Sequence, residues 1–180
     1  QLLTNIYIQV FRGTPMIVQA VVIYYGAQYA GIFMDTTFAA IFIISINTGA
    51  YMAEIIRGGI VSVDKGQFEA AHAIGMTHWQ TMTTVILPQA IRNILPSVGN
   101  ELIVNIKDSS VLNVISVSEL FFQAKSAAGT YYRYFEVYFI IAVIYLILTL
   151  TVSRILRIIE KKMDGPDNYV IHGSQSDSRA

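Results

Sequence analysis

Residues 64–88 read DKGQFEAAHAIGMTHWQTMTTVILP, the longest stretch that lies between strongly apolar segments of the chain. Two four-residue runs inside it, DKGQ and THWQ, fit the capping box, in which an oxygen-bearing side chain begins a helix and a Gln follows at the third helical position. Gly75 can adopt the left-handed conformation that ends a helix, and Pro88 stands where a second helix should stop or bend. The stretch therefore predicts two short helices, over residues 65–74 and 78–86.

Each of these predicted helices carries an apolar face. Side chains three or four positions apart on a helix point to the same side. By this spacing the faces are Phe68, Ala71 and His72 on the first helix, and Trp79, Met82, Val85 and Ile86 on the second. Helices this short are not stable alone in water. We therefore expect both to pack against another part of the protein.

The rest of the chain is more apolar than a soluble domain. Of its 180 residues 54% are hydrophobic and 13% are charged, and this charged fraction is about half of that in soluble domains. The apolar residues fall in four blocks, over residues 16–34, 36–56, 95–117 and 135–152. Crossing a bilayer core takes about 20 residues. We therefore predict an all-α polytopic membrane protein with four visible spanning helices.

Charge and cysteine content narrow the possible ligands. The formal net charge is +0, which gives no electrostatic reason to expect binding to nucleic acid. The chain contains no cysteine, so it forms neither disulfides nor thiolate metal sites. His72 and His78 do not have a spacing typical of metal ligands. We expect no nucleic acid and no metal to bind this chain.

Basic residues predict the orientation in the membrane. Four of them directly follow the last apolar block: Arg154, Arg157, Lys161 and Lys162. An excess of basic residues marks the cytoplasmic side, so we expect the C-terminus to be cytoplasmic. Counting back through the spans places residues 64–88 on the same side. The tail over residues 163–180 is rich in Gly, Ser and Asp and is predicted to be disordered.

Lys107 and Asp108 lie near the middle of the third apolar block, with Ser110 on the Lys107 side of the helix. A charge at a helix centre costs about 2.5–3.5 kcal/mol on the insertion scale, so these side chains should face protein or a water-filled cavity. An anion beside a cation suits a zwitterionic amino acid. An ion pair between helices, for instance with Glu54, explains the charges equally well, and the sequence leaves both alternatives open.

Gln19, Asn47 and Thr48 are also polar residues within predicted spans. Such residues can line a translocation path. They also serve as hydrogen-bonding contacts between membrane helices, which is the more common role for any one of them.

The motifs of the chain resemble those of a known family. Glu69-Ala70-Ala71, Gly75 and Leu87-Pro88 resemble the EAA motif of ABC-importer permeases, with Val85 where the motif expects Ile. Four further runs are similar to permeases for polar amino acids: FRGTP at 11–15, NTGAYMAEIIRGGI at 47–60, LPSVGNELI at 95–103 and KDSS at 107–110. The resemblance extends over residues 7–162.

This resemblance implies a fold for the chain and a separate protein that hydrolyses ATP. It implies the type I ABC-importer permease fold, which has five spans, with the missing one expected before Gln1. Residues 1–162 would then form the permease domain, and residues 64–88 its cytoplasmic coupling segment. The chain has no GxxxxGK[ST] motif, so we expect no catalytic residue and no bound cofactor here, with ATP and Mg²⁺ on a partner ATPase.

The resemblance also implies roles for particular residues. Those expected to contact the ATPase are Glu69, Ala70, Ala71, Gly75, Leu87 and Pro88. The residues expected to line the substrate path are Lys107, Asp108, Ser110, Asn47, Thr48 and Gln19.

The expected partners are ABC ATPase subunits, a second permease subunit in a homodimer or heterodimer, an extracytoplasmic substrate-binding protein or fused binding domain, and the lipid of a bacterial cytoplasmic membrane. An ion-coupled secondary transporter or channel subunit is the alternative, with Lys107 and Asp108 as an ion or proton relay. A membrane scaffold is a third possibility, but it gives the intramembrane charges no purpose.

Overall fold

The computed structural model describes residues 2–164, which are helical except at the connections. The α-helices are α1 (Leu2–Gly13), α2 (Met16–Tyr29), α3 (Thr36–Val61), α4 (Lys65–Ala73), α5 (His78–Gln80), α6 (Leu87–Asp108), α7 (Leu120–Tyr131) and α8 (Tyr134–Asp164). A π-helix, Thr81–Ile86, joins α5 to α6, and a 3₁₀-helix, Ser109–Ile115, follows α6.

Two helices of the described residues are long and apolar enough to cross a membrane, Thr36–Val61 with 26 residues and Tyr134–Met163 with 30 residues. At about 1.5 Å per residue these extend about 39 Å and 45 Å, more than the ~30 Å of a hydrocarbon core. Helices α1 and α2 meet the same test only together, as a pair bent by 112°. The described residues thus hold two candidate spans, or three with the bent pair, where the sequence predicted four.

The two other predicted spans are interrupted for local reasons. Helix α2 has only 14 residues, and the chain turns after it at Gly31, whose φ is +79°. The block over residues 95–117 is α-helical only to Asp108, then tightens into the 3₁₀-helix and turns at Ser116 with a φ of 64°. Polar residues around Asn105 also make this helix less apolar than α3 or α8. The structure therefore divides these two blocks, where the sequence predicted one spanning helix in each.

Helix α3 begins at a capping residue, and helix α8 extends beyond its predicted end. Asp35 caps α3, because its Oδ2 accepts hydrogen bonds from the backbone N–H groups of Thr37 at 2.9 Å and Phe38 at 3.2 Å. The bond from Phe38 is the main cause of the lowered pKa of Asp35. Helix α8 runs past the predicted end of its apolar block to Asp164, two residues into the predicted tail. Residues 165–180 of that tail lie outside the described residues.

Small side chains let the helices approach closely. One core cluster joins α2, α3 and the 3₁₀-helix through Ala20, Ala39, Ala40, Ile43, Leu112 and Ile115. Where α3 passes α6, a Cβ on Gly59 would overlap the side chain of Ile94. At Gly49 a Cβ would lie 2.8 Å from the Tyr7 hydroxyl, so the absence of a side chain there lets α1 approach α3 closely. By contrast, most apolar side chains of α8 are exposed, as expected of a helix that faces lipid or another subunit.

Candidate functional site

The segment over residues 64–88 forms a helical hairpin. Asp64 caps α4, and its Oδ1 accepts from the N–H of Gly66 at 2.6 Å; the full box with Gln67 does not form. Gly75 has a φ of +82°, which confirms the predicted left-handed turn. The predicted capping box at Thr77 is present, with both reciprocal bonds to Gln80. Local sequence therefore specifies the hairpin well.

The hairpin packs on the ends of α3 and α6. Val63, Ile86 and Ala90 form a buried cluster, against which Phe68, Met82 and Val85 pack. Asn93 Nδ2 also donates to Ser62 Oγ at 3.0 Å, which ties α6 to the end of α3. The coupling segment is thus attached to two helices of the bundle at once.

The coupling residues predicted from the motif differ in exposure. Ala71 is buried, Leu87 is half-buried, and Glu69, Ala70, Gly75 and Pro88 are exposed. Nothing lies within 4 Å of a Cβ built on Gly75. The exposed members leave one side of the hairpin open to a partner.

Two large apolar side chains of this hairpin are exposed. Ile74 is 79% exposed and Trp79 is 75% exposed. The prediction that Trp79 shares a packed face with Met82 and Val85 was wrong, because the π-helix that begins at Thr81 changes the angle per residue. The α-helical period therefore does not apply between Trp79 and Val85. The signal that could have identified these residues is an apolar side chain on each side of the Gly75 turn.

Pro88 neither ends nor separates the second helix of the hairpin. The N–H of Leu87 donates to the carbonyl of Met82, a bond of the π type, and both Ile86 and Leu87 have right-handed helical dihedrals. Pro88 then occupies the first turn of α6, where a missing N–H costs least. The chain is consequently helical without a break over residues 78–108. The prediction of a helix ending at residue 86 was wrong.

The far end of α6 carries the predicted intramembrane charges. Lys107 is exposed and Asp108 is half-buried. The ion pairs among the described residues join Glu54 to Arg12 at 3.5 Å and to Arg57 at 2.7 Å, so the suggested pairing of Lys107 with Glu54 was wrong. The Ser110 hydroxyl donates to the Lys107 carbonyl at 2.7 Å, which satisfies a backbone group where the helix tightens.

The polar residues of α2 and α3 form two separate arrangements. Asn47 Nδ2 donates to Gln19 Oε1 at 2.8 Å, and Gln19 Nε2 donates to the carbonyls of Phe11 and Thr14, both at 2.9 Å. The Thr48 hydroxyl instead donates to Asn105 Oδ1 on α6 at 3.0 Å. These bonds are the contacts between helices that the sequence suggested for such residues.

Thr48 and Asn105 line a cavity of about 250 Å³ between α3, α6 and α8. The other lining residues are mainly apolar, and they include neither Lys107 nor Asp108. The structure of this single chain therefore does not bring the predicted path residues into one site. Among the described residues, no cluster of three or more His, Asp or Glu side chains is placed to hold a metal ion.

Residues 1–165 match the model of the protein family described as binding-protein-dependent transport system inner membrane component. The chain belongs to this family. A binding-protein-dependent inner membrane component is a permease subunit of an ABC importer, a membrane protein of the bacterial cytoplasmic membrane without an ATPase of its own. Family membership confirms the predicted permease and decides against the ion-coupled alternative.

Relatives within the family agree with this assignment. The glutamine transport system permease protein GlnP of Escherichia coli is 44% identical over 160 residues, which are 88% of this chain and 73% of that protein. A putative glutamine transport system permease protein of Rickettsia felis is 42% identical over 164 residues, 91% of this chain and 75% of that protein.

Solved structures confirm the fold. The crystal structure of an amino acid ABC transporter with histidines superposes with a TM-score of 0.85 at 48% identity, over 89% of this chain and 75% of that chain. The MetNI methionine ABC transporter in an inward-facing conformation superposes with a TM-score of 0.71 at 21% identity, over 88% of this chain and 73% of that chain. The all-α ABC-importer permease fold predicted from the sequence is therefore correct.

Proposed function

We propose that this permease takes part in the import of a polar amino acid and that a separate ATPase chain drives it through the coupling segment, residues 64–88. The related permeases named above are glutamine permeases, and the solved relative with the higher identity is an amino acid transporter. These names support an amino acid as the substrate class.

The observation that carries the proposal is the unbroken helix over residues 78–108. One end of this helix presents Trp79 outside the bundle, and the other end carries Lys107 and Asp108. Backbone hydrogen bonds hold successive turns of a helix together along its axis, although Pro96 has no backbone N–H to donate. The other bonds allow this helix to transmit displacement along its axis. A push on the hairpin would therefore move the region of the intramembrane charges, without a flexible loop between them.

The exposed side of the hairpin supports a protein partner. Tryptophan is enriched among the residues that contribute most to protein interfaces, and Trp79 is exposed here, with Ile74 exposed on the other side of Gly75. Glu69 and Ala70 are exposed on the same hairpin, so the charge and the small residue of the motif are accessible to the ATPase. ATP and Mg²⁺ would be held by that partner.

The remaining parts of the proposal concern orientation and assembly. The basic residues that end α8, with Lys161 and Lys162 in its last turn, support a cytoplasmic C-terminus by the positive-inside rule. The exposed apolar surface of α8 leaves room for a second permease subunit beside lipid. A substrate-binding protein or fused domain would deliver the amino acid from outside, and Lys107 with Asp108 offers opposite charges to a zwitterion.

Uptake into proteoliposomes tests the proposed function. The permease is reconstituted with its ATPase, and radiolabelled glutamine is supplied outside with the binding protein. We expect uptake that requires ATP on the ATPase side together with the binding protein. Uptake that depends on a proton or sodium gradient and does not require ATP would contradict the proposal. ATP-dependent uptake of a substrate other than a polar amino acid would correct the substrate class.

A further inference from the structure

A second groove lies between α6 and α8, and it shares Gly99, Leu156 and Glu160 with the cavity at Thr48. Its volume is about 310 Å³. Its polar lining consists of Asn100, Ser153, Arg157 and Glu160, and Pro96 and Ile103 are among its apolar residues. No role for these side chains follows from the coupling segment or from the predicted substrate path.

The groove holds two opposite charges that do not neutralise each other. Arg157 and Glu160 lie one turn apart on α8 and both line the groove, yet the ion pairs among residues 2–163 are those of Glu54 with Arg12 and Arg57. Arg157 is exposed and Glu160 is half-buried. Both charges are therefore accessible to a ligand that carries charges of both signs.

The groove also lies just after the apolar block of α8, where we expect this helix to leave the hydrocarbon. The apolar block of this helix ends at residue 152, and Ser153 and Arg157 follow within two turns. Arginine at the end of a spanning helix reaches the level of the lipid headgroups. Closer to the N-terminus of the same helix, the apolar side chains of Leu146, Ile147 and Leu150 are exposed. They offer a surface for acyl chains.

We propose that this groove binds the headgroup of phosphatidylethanolamine from the cytoplasmic leaflet. The Arg157 guanidinium and the Asn100 amide would donate to the phosphate, and the Glu160 carboxylate would accept from the ammonium. The Ser153 hydroxyl already donates to the Thr149 carbonyl at 2.6 Å, so its oxygen can serve only as an acceptor. The lipid would stabilise the contact of α6 with α8, where a Cβ on Gly99 would lie 3.3 Å from Leu156.

Three lipids separate the contributions of the two charges. Phosphatidylethanolamine and phosphatidylcholine have the same net charge, but the trimethylammonium of phosphatidylcholine donates no hydrogen bond to a carboxylate. Phosphatidylglycerol has no cation at all. Native mass spectrometry of the assembled transporter, titrated with each lipid, should therefore show tightest binding of phosphatidylethanolamine.

Variants locate the binding in this groove. Glu160→Gln should remove the preference for phosphatidylethanolamine over phosphatidylcholine, and Arg157→Gln should weaken binding of all three lipids by about tenfold, the effect of one lost charge-assisted contact. Arg154→Gln is the matched control, because Arg154 is exposed on α8 but lines a different groove. It should leave the preference unchanged.

Two results would overturn this proposal. The first is equal binding of phosphatidylethanolamine and phosphatidylcholine by the unmodified complex, a measurement that depends on no variant. The second is occupation of the groove by protein: a photoreactive amino acid at Ser153 should form lipid adducts, whereas adducts with another chain of the complex would show that a subunit fills the groove.

Discussion

Gln19 and Asn47, which are 6% and 7% exposed, join α1, α2 and α3 through their side-chain amides. Each amide bonds to groups of a neighbouring helix, so neither is left unpaired. Helices α1 and α2 are bent by 112° to each other. In a bundle whose helices share few polar contacts, this pair of amides holds both helices in position on α3.

Asn47→Leu tests whether this pair is structural. The change removes the donor to Gln19 Oε1 and leaves that oxygen buried without its partner, at a cost of about 1–3 kcal/mol. We expect the purified complex to melt at a lower temperature. Ser45→Leu is the control, because Ser45 lies on the same helix but is exposed. Unchanged stability together with lost uptake in Asn47→Leu would instead place Asn47 in the substrate path.

Asp108→Asn tests the path role of the intramembrane charge. If Asp108 contacts the ammonium of an amino acid, uptake should fall by about tenfold, the effect of one lost charge-assisted contact, while assembly with the ATPase persists. The control is Asp35→Asn, because Asp35 lies outside the spans and Asn also serves as an N-cap. Failure of Asp108→Asn to assemble, with normal uptake by the assembled fraction, would show a structural role.

Among the helical elements, the hairpin was predictable from the sequence to different degrees. Gly75 and the Thr77–Gln80 box depend on interactions within a few residues, so sequence alone locates them. The side on which Trp79 lies was not predictable, because the π-helix that begins at Thr81 changes the angle per residue and no residue spacing in the sequence signals it.

Gly75→Val is the prediction for the hairpin. A β-branched residue in the left-handed conformation costs about 1–2 kcal/mol, and open space around the Cβ means that this cost comes from the backbone alone. We expect the variant to insert in the membrane but to retain its ATPase poorly and import little. Gly75→Asn is the control, since Asn tolerates this conformation. Full ATPase retention in Gly75→Val would contradict the coupling role.

At the scale of the whole molecule, composition identified the membrane fold but not the shape of each span. Helices α3 and α8 were predicted correctly. A long apolar segment that crosses lipid satisfies its own backbone hydrogen bonds only as a helix. The blocks that contain Gly31 and Asp108 were each predicted as one spanning helix, and the structure divides each of them. Polar groups in these regions form hydrogen bonds between helices, such as that of Thr48 with Asn105. A hydropathy profile does not include such contacts.

The central claim is that the coupling segment contacts the ATPase on the cytoplasmic side. Photocrosslinking tests it most directly, with a photoreactive amino acid at Trp79 and, as the control, at Tyr131. Both aromatic side chains are exposed, 75% and 71%. A cytoplasmic C-terminus places Tyr131, which precedes the last span, on the outer side of the membrane, opposite Trp79. In the assembled, actively importing complex, we predict ATPase adducts from position 79 and none from position 131. Lipid adducts alone from position 79, or ATPase adducts from position 131, would contradict the account.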